Sequence, residues 1–439
     1  AQPPPIRLPA LDGCLRTCSN LPHQPSTTES LTPLFAEAAM DESSLTRRDL
    51  LKSVPAWAGA AWFGLSGRAK GFVGANSRLR IGAVGTGSRW CQKATGLKGR
   101  YGAAPGFRPF GDYVIVCDVD ANRRGLAGEL VKEWSRAAPE AVADYRAVID
   151  RKDVDVVHIS TPDHWHAKIA IEAMLAGKDV YCEKPMTLTI DEGKQMVQVV
   201  KKTGRIVQIG TQQRSEDTFL KAIALIRDGR IGRIKKATCV INGAPSSPEI
   251  PKADAPKPLD WNLWQGPVAS VPYRYLAGDN GETKSWSRSH YEFRWWYDYS
   301  GGKLTDWGAH HVDIAVWAMG KTETGPISVD PILVKHPVVF KDGQPTDDSR
   351  YNTATEFLIR ARFEDGMEID IRHDGNNGIL FEGTEGTLFV TRGALRGKVV
   401  DEMKTKPLPD GAIQRVYKDR ELVDHAADHV VAVRANGGE

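Results

Sequence analysis

No two cysteines are spaced as Cys-x-x-Cys, and of the six in the chain only Cys14 and Cys18 lie close together. That spacing supports neither a structural zinc site nor a disulfide framework, and no metal site is expected. Long basic runs with interleaved aromatics, which track a phosphate backbone, are missing too, and Lys+Arg 58 against Asp+Glu 55 leaves a formal charge of +3. Nucleic acid is therefore not an expected partner. The weakly apolar run Leu50 to Leu65 is short and rich in Ala and Gly, a poor match to about 30 Å of hydrocarbon. What is present is an ordinary globular composition, 41% hydrophobic and 26% charged over 439 residues, enough for two domains.

Residues 1–39 are rich in Pro, Ser and Thr, lack apolar periodicity and precede the first methionine, Met40, so they read as an upstream or disordered segment. Residues 40–75 differ. Ser44-Leu45-Thr46-Arg47-Arg48-Asp49-Leu50-Leu51-Lys52 leads into the apolar run, and small residues at Val73 and Ala75 suit cleavage before Asn76. This stretch resembles a twin-arginine export signal. It implies the twin-arginine machinery as a partner and a periplasmic location, with a cytoplasmic one as the alternative.

Leu79 to Val84 is a short apolar run followed at once by Gly85-Thr86-Gly87-Ser88-Arg89-Trp90. Strand, glycine turn and a helix begun near Ser88 is the nucleotide-binding order, with backbone N–H groups and a helix terminus offered to a pyrophosphate. Trp90 stands where G-x-G-x-x-G has its third glycine, so strand and helix are expected to pack less closely. The next strand, Tyr113 to Cys117, ends in Asp118, placed to hold a ribose diol. That acid favours NAD, with Arg123 and Arg124 nearby keeping NADP open. Lys98 to Asp112 reads as an inserted loop before it.

The alternation continues with helices over 122–136 and 146–150, a strand over 154–160, and the turn Thr161-Pro162-Asp163-His164-Trp165-His166. Helix 167–176, strand 179–182, helix 190–202 and strand 206–209 complete a doubly wound parallel sheet over residues 79–210. Cys117 and Cys182 fall in apolar strands and read as buried packing. In Asp179-Val-Tyr-Cys-Glu-Lys-Pro-Met186, the proline after Lys184 pushes that lysine into an extended conformation. It must stand at the carboxyl rim of the sheet, where ligands bind. A strand-end lysine pointing into water is the bland alternative.

After Gly210 strand-like segments at 234–241, 355–363, 367–373 and 387–391 occur with few helices, as in a mostly antiparallel sheet of a second α/β domain over residues 211–439. Pro245 to Pro258 reads as a surface loop. Seven of the twelve tryptophans lie between Trp261 and Trp317; they suit sugar stacking, and core or interface packing at least as well. In Gly301 to Trp317, Asp306, His310 and Asp313 share one helical face. A carboxylate one turn from an imidazole can orient it and favour its protonated form, the form a general base reaches as it removes a hydroxyl proton. Metal binding and helix capping are the competing readings.

Gly85-x-Gly87, Asp118, Ser160-Thr161-Pro162 with His164 and His166, Glu183-Lys184-Pro185 and Asp306-x-x-x-His310 together resemble the glucose-fructose oxidoreductase, inositol dehydrogenase and MocA family. The resemblance runs from about Leu79 to His429. It implies an N-terminal Rossmann domain holding NAD or NADP and a C-terminal domain whose open sheet forms dimer or tetramer contacts. By position, Gly85, Thr86, Gly87, Ser88 and Arg89 would face the pyrophosphate and Asp118 the adenosine ribose. Thr161, Pro162, His164, Glu183 and Lys184 would lie by the nicotinamide, and Asp306 and His310 would complete the catalytic site with Lys184. The implied activity is hydride transfer on a sugar, cyclitol or derivative. One branch resembling the family is an NAD-dependent glycoside hydrolase using transient oxidation; a non-catalytic sugar-binding protein is the third reading. Family members usually continue beyond a terminus like Asn436 to Glu439, which points to a truncated product.

Overall fold

A computed structural model describes residues 78–95, 102–135, 137–278, 285–417 and 424–437. The upstream segment, the export-like signal, Cys14, Cys18 and the last two residues lie outside the described residues.

The first sheet is built from Leu79–Val84 (β1), Gly111–Cys117 (β2), Glu140–Val142 (β3), Val156–Ile159 (β4), Asp179–Cys182 (β5) and Val207–Ile209 (β6). β4 and β5 are buried at every position, and β1 at every position but Arg80, because parallel strands carry helices on both faces. All neighbours pair in parallel in the order β3-β2-β1-β4-β5-β6. The order reverses between β1 and β4, which opens a crevice beyond their carboxyl ends. The covering helices are Ala121–Ser135 (α1), Arg146–Asp150 (α2), Asp163–Leu175 (α3) and Ile190–Thr203 (α4). α4 has a capping box: Thr189 Oγ1 accepts from Glu192 N at 3.3 Å, and Glu192 accepts from Thr189 N at 2.9 Å. Cys117 and Cys182 are free and buried, as expected.

Two expectations of the sequence fail here. The helix expected near Ser88 is replaced by a turn and the single 3-10 turn Gln92–Thr95. The carbonyls of Arg89 and Trp90, which a helix would use internally, instead accept from Ala103 N at 3.1 Å and Ala104 N at 3.0 Å in the insertion. Trp90 is fully buried, edge-on to Tyr113 with ring centroids 5.4 Å apart. Burial of a tryptophan, worth about 3–5 kcal/mol by truncation, outweighs a helix-terminus dipole worth about 0.3–1 kcal/mol. Secondly, the residues read as a turn at 163–166 form the first turn of α3, with Pro162 in the extended cap position.

The second domain places Ile234–Val240 (β7), Ser328–Lys335 (β8), Glu356–Arg362 (β9), Glu368–Arg372 (β10), Gly378–Gly383 (β11), Thr387–Thr391 (β12) and Ala394–Arg396 (β13) in the order β8-β9-β10-β7-β11-β12-β13. All pairs are antiparallel except β10 with β7. One face packs its Ala237, Cys239, Ile369 and Phe381 on Asp217–Arg227 (α5) and Gly308–Ala318 (α6). Ion pairs connect neighbouring strands: Asp370 accepts from Arg360 at 2.7 Å and pairs with Lys236 at 2.6 Å. Trp264, Trp295 and Trp296 build a third core with Phe293, Tyr299 and Tyr351, so packing is the main use of the tryptophan-rich segment. The last helix, His425–Gly437 (α7), returns to the first domain and inserts Ala426, Val430 and Val433 beside Ile81 and Trp90.

Candidate active site

A cleft open to solvent lies at the reversal point. Its floor is the contact between two strand-end turns. Gly85 has φ 80°, and a Cβ there would stand 2.6 Å from the backbone nitrogen of Thr161, so only glycine fits. Gly85, Gly87, Ser88, Arg89, Asp118, Thr161, Pro162, Glu183 and Lys184 all line the cleft. Thr86, His164, Asp306 and His310 do not; Thr86 and His164 are buried behind its wall. Thr86 N donates to Asp118 Oδ2 at 2.8 Å, fixing the glycine turn to the end of β2. His164 faces the Trp264 carbonyl at 3.1 Å, and burial pushes its imidazole down to about 3, so it is a neutral packing group.

A dinucleotide fits these residues. The glycine turn lets a pyrophosphate approach the backbone, and Asp118 presents a carboxylate at the end of β2 for the diol of the adenosine ribose. Thr161 Oγ1 is buried in the cleft wall without a hydrogen-bond partner among the described residues.

His166 ties the other two strand ends together. Its Nδ1 lies 2.7 Å from the Pro185 carbonyl and its Nε2 3.0 Å from that of Thr161. Glu183 is buried and accepts from Tyr181 Oη and Gln212 Nε2, each at 3.1 Å, while Arg89 Nε stands 2.8 Å from its other oxygen. The Lys184–Pro185 peptide is cis. Lys184 Nζ then crosses to the second domain, donating to the Asp306 carboxylate and, at 3.2 Å, to the Asp306 carbonyl.

Asp306 closes the short helix Lys303–Asp306, with Trp307 alone between it and the start of α6. Burial alone would raise its pKa, but Lys184 and Arg294, the latter 3.6 Å away, hold it well below the usual carboxylate range. The expected Asp306–His310 hydrogen bond does not form among the described residues, since the carboxylate is taken by these two cations. Nor is His310 biased toward imidazolium. Burial, then the charges of Lys184, Arg392 and Arg89, hold it well below 6.5 against the opposing pull of Asp306. Its Nδ1 has no hydrogen-bond partner among the described residues. The imidazole is thus neutral with a lone pair to offer, the state a base needs. Asp313 leaves the site, both its oxygens held at 2.7 Å by Arg214.

Sequence reasoning missed Arg294, His290 and Trp264, which reach the cleft from the second domain. They sit in irregular segments without periodicity; polar residues interleaved with aromatics in Ser289-His290-Tyr291-Glu292-Phe293-Arg294 were the available signal.

Residues 79–211 match the oxidoreductase family with an NAD-binding Rossmann fold that is named for glucose-fructose oxidoreductase, inositol dehydrogenase and MocA, and residues 245–420 match that family's C-terminal alpha/beta domain. Levoglucosan dehydrogenase of Pseudarthrobacter phenanthrenivorans is 40% identical over 280 residues, 60% of this chain and 61% of that protein. A glycosyl hydrolase family 109 protein of Shewanella sp. (strain ANA-3) is 30% identical over 160 residues, 36% of this chain and 33% of that one. The chain therefore spans less than two thirds of the length of these relatives. In fold it is similar to the WlbA dehydrogenase from Chromobacterium violaceum, solved with NADH and UDP-GlcNAcA, at TM-score 0.51 and 16% identity over 83% of this chain and 95% of that one. With both domains matched, the chain belongs to the glucose-fructose oxidoreductase, inositol dehydrogenase and MocA family of NAD-binding oxidoreductases.

Proposed function

We propose that the protein oxidises a hydroxyl group of a sugar, cyclitol or sugar derivative with NAD as the hydride acceptor. The observation that carries this reading is a neutral His310, its Nδ1 without a hydrogen-bond partner among the described residues, close to the Lys184–Asp306 pair whose lysine lines the dinucleotide cleft. When bound, the nicotinamide supplies the acceptor for the hydride. His310 takes the hydroxyl proton on its free lone pair. Lys184 has three donors; Asp306 occupies two, and the third is available to the substrate oxygen as its charge develops. Asp306 keeps the ammonium aimed and charged. Incubating the protein with candidate sugars and NAD, and following NADH, tests the reading. If Lys184→Ala and His310→Ala both turn over like the wild type on any substrate it oxidises, the mechanism is wrong.

The glycosyl hydrolase family 109 relative supports a second reading, hydrolysis through transient oxidation, with the same lysine and histidine. Aglycone released without net NADH would favour it; stoichiometric NADH favours the oxidoreductase. We further propose export by the twin-arginine route, supported by Arg47-Arg48 and the apolar run that follows. That route carries folded proteins, so the cofactor would travel bound. Replacing both arginines with lysine should trap the precursor in the cytoplasm, and normal export of that variant would remove the assignment. Self-association is expected through the second domain. Val329, Ile332, Leu333 and Val334 of its edge strand are exposed, and light scattering of a Val334→Asp variant tests it against a monomeric outcome.

A further inference from the structure

The turn His290–Trp295 belongs to the second domain, yet His290, Tyr291, Phe293 and Arg294 all line the dinucleotide cleft. Its two ends are anchored at opposite ends of that cleft. Arg294 reaches the catalytic end, 3.6 Å from Asp306. His290 reaches the ribose end, where its Nε2 lies 3.1 Å from Asp120 Oδ2. Asp120 is locked in place: its Oδ1 accepts from Asn122 N at 2.9 Å and Arg123 N at 3.3 Å at the start of α1, and its own N–H donates to Asp118 Oδ1 at 2.9 Å. The same junction is braced by Ala121 N to Pro258 O at 2.9 Å and Asp260 N to Val119 O at 3.1 Å.

His290 is held at φ 53°, a conformation that side chains other than glycine rarely adopt. Such strain persists where surrounding structure over-determines it, and it concentrates at ligand clamps. Its other ring nitrogen, Nδ1, is buried and has no hydrogen-bond partner among the described residues. The chemistry of that atom follows from its neighbour. An ionised carboxylate only accepts, so the ring hydrogen on Nε2 faces Asp120, and Nδ1 is the ring nitrogen left over for a ligand. Asp118 is an acceptor. A vicinal diol suits the two groups, since each hydroxyl can donate to Asp118 and can either donate to or accept from Nδ1.

We propose that His290, delivered by the second domain, is a cofactor-binding residue that shares with Asp118 the two hydroxyls of the adenosine ribose. The His290–Arg294 turn then closes the cleft along the length of the dinucleotide. This slows cofactor release, because release requires His290 to part from either the ribose or Asp120. The inference rests on the NAD reading of the cleft.

The test is equilibrium binding to nucleotide-free protein, followed by NADH fluorescence and by calorimetry with ADP-ribose, which keeps the adenosine ribose and lacks nicotinamide. His290→Ala removes both nitrogens; His290→Gln keeps a polar group for Asp120 and removes the one at Nδ1. Both variants should bind NADH and ADP-ribose about ten-fold more weakly, the scale of one lost buried hydrogen bond, and NADH should leave faster in stopped flow. The Gln variant should melt like the wild type without nucleotide, separating lost binding from lost structure. Unchanged affinity in both variants overturns the inference alone, as does weakening of NADH with ADP-ribose unaffected. A wild type that binds neither nucleotide overturns the NAD reading and the inference with it.

Discussion

Lys184 and Asp306 stand 122 residues apart in the chain and meet through two hydrogen bonds to one ammonium group, joining the rim of the parallel sheet to the second domain. Both side chains are nearly enclosed, 10% and 14% exposed. Lys184→Ala should lower kcat/KM by roughly 10²-fold or more, as loss of a positioned donor does. It should also lower stability by about 1–3 kcal/mol, since Asp306 keeps only Arg294. NADH titration and thermal melts separate the two effects. Wild-type kcat/KM in this variant would end the case for the lysine.

The neutral state of His310 sets the pH dependence. Its imidazole is held well below 6.5, by burial first and by Lys184, Arg392 and Arg89 next. The rate of hydride transfer, measured in single turnover, should be level from about pH 8 to pH 6 and fall only at lower pH. An inflection centred near 6.5 would mean that His310 titrates as if exposed.

Burial pushes His158, His164 and His429 down to about 3, and His311 to about 4. An unfolded histidine titrates near 6.5, so each contributes stability that is complete above that pH and is lost as pH falls toward the folded value. The cost is about 1.4 kcal/mol per pH unit for each group. The melting temperature should drop steeply between pH 6.5 and pH 4.5. Among the described residues His429 has no hydrogen-bond partner on either ring nitrogen, and His429→Leu should gain on the wild type as the solution is acidified. A pH-independent difference between the two proteins would show that His429 does not carry this term.

Gly85→Ala should abolish NADH binding. The backbone has φ 80°, and the new methyl would press on the Thr161 backbone at 2.6 Å. Because that neighbour is main chain, the turn and not a side chain must move. A variant that still binds NADH within a factor of about two, well under the ten-fold that 1.4 kcal/mol represents, would show that the turn can yield.

The parallel sheet was legible because strands covered on both faces are continuous apolar runs. Lys184 was legible because the following proline settles its backbone. Trp90 misled: at sequence level it is a substitution in a glycine motif, and its role depends on Tyr113 and on an insertion that supplies donors to its carbonyl. Asp306 and His310 were found, yet their relation was not, since helical spacing places two groups on a face without showing that Lys184 and Arg294 will take the carboxylate. His290 left no periodic trace. Its meaning comes from Asp120, 170 positions earlier, which no local pattern connects to it.

α7 has a consequence for the order of events during synthesis. Ala426, Val430 and Val433 complete the apolar layer around Ile81 and Trp90, and His425 faces Tyr181 Oη at 3.2 Å and Gln208 Nε2 at 2.6 Å. A domain at the start of a chain ordinarily folds while the ribosome is still at work. Here the nucleotide-binding half emerges first and waits, its core unsealed, until translation has passed residue 433. A nascent chain arrested before Asp424 should remain protease-sensitive in the segment 79–210, and release of the full polypeptide should protect both halves together.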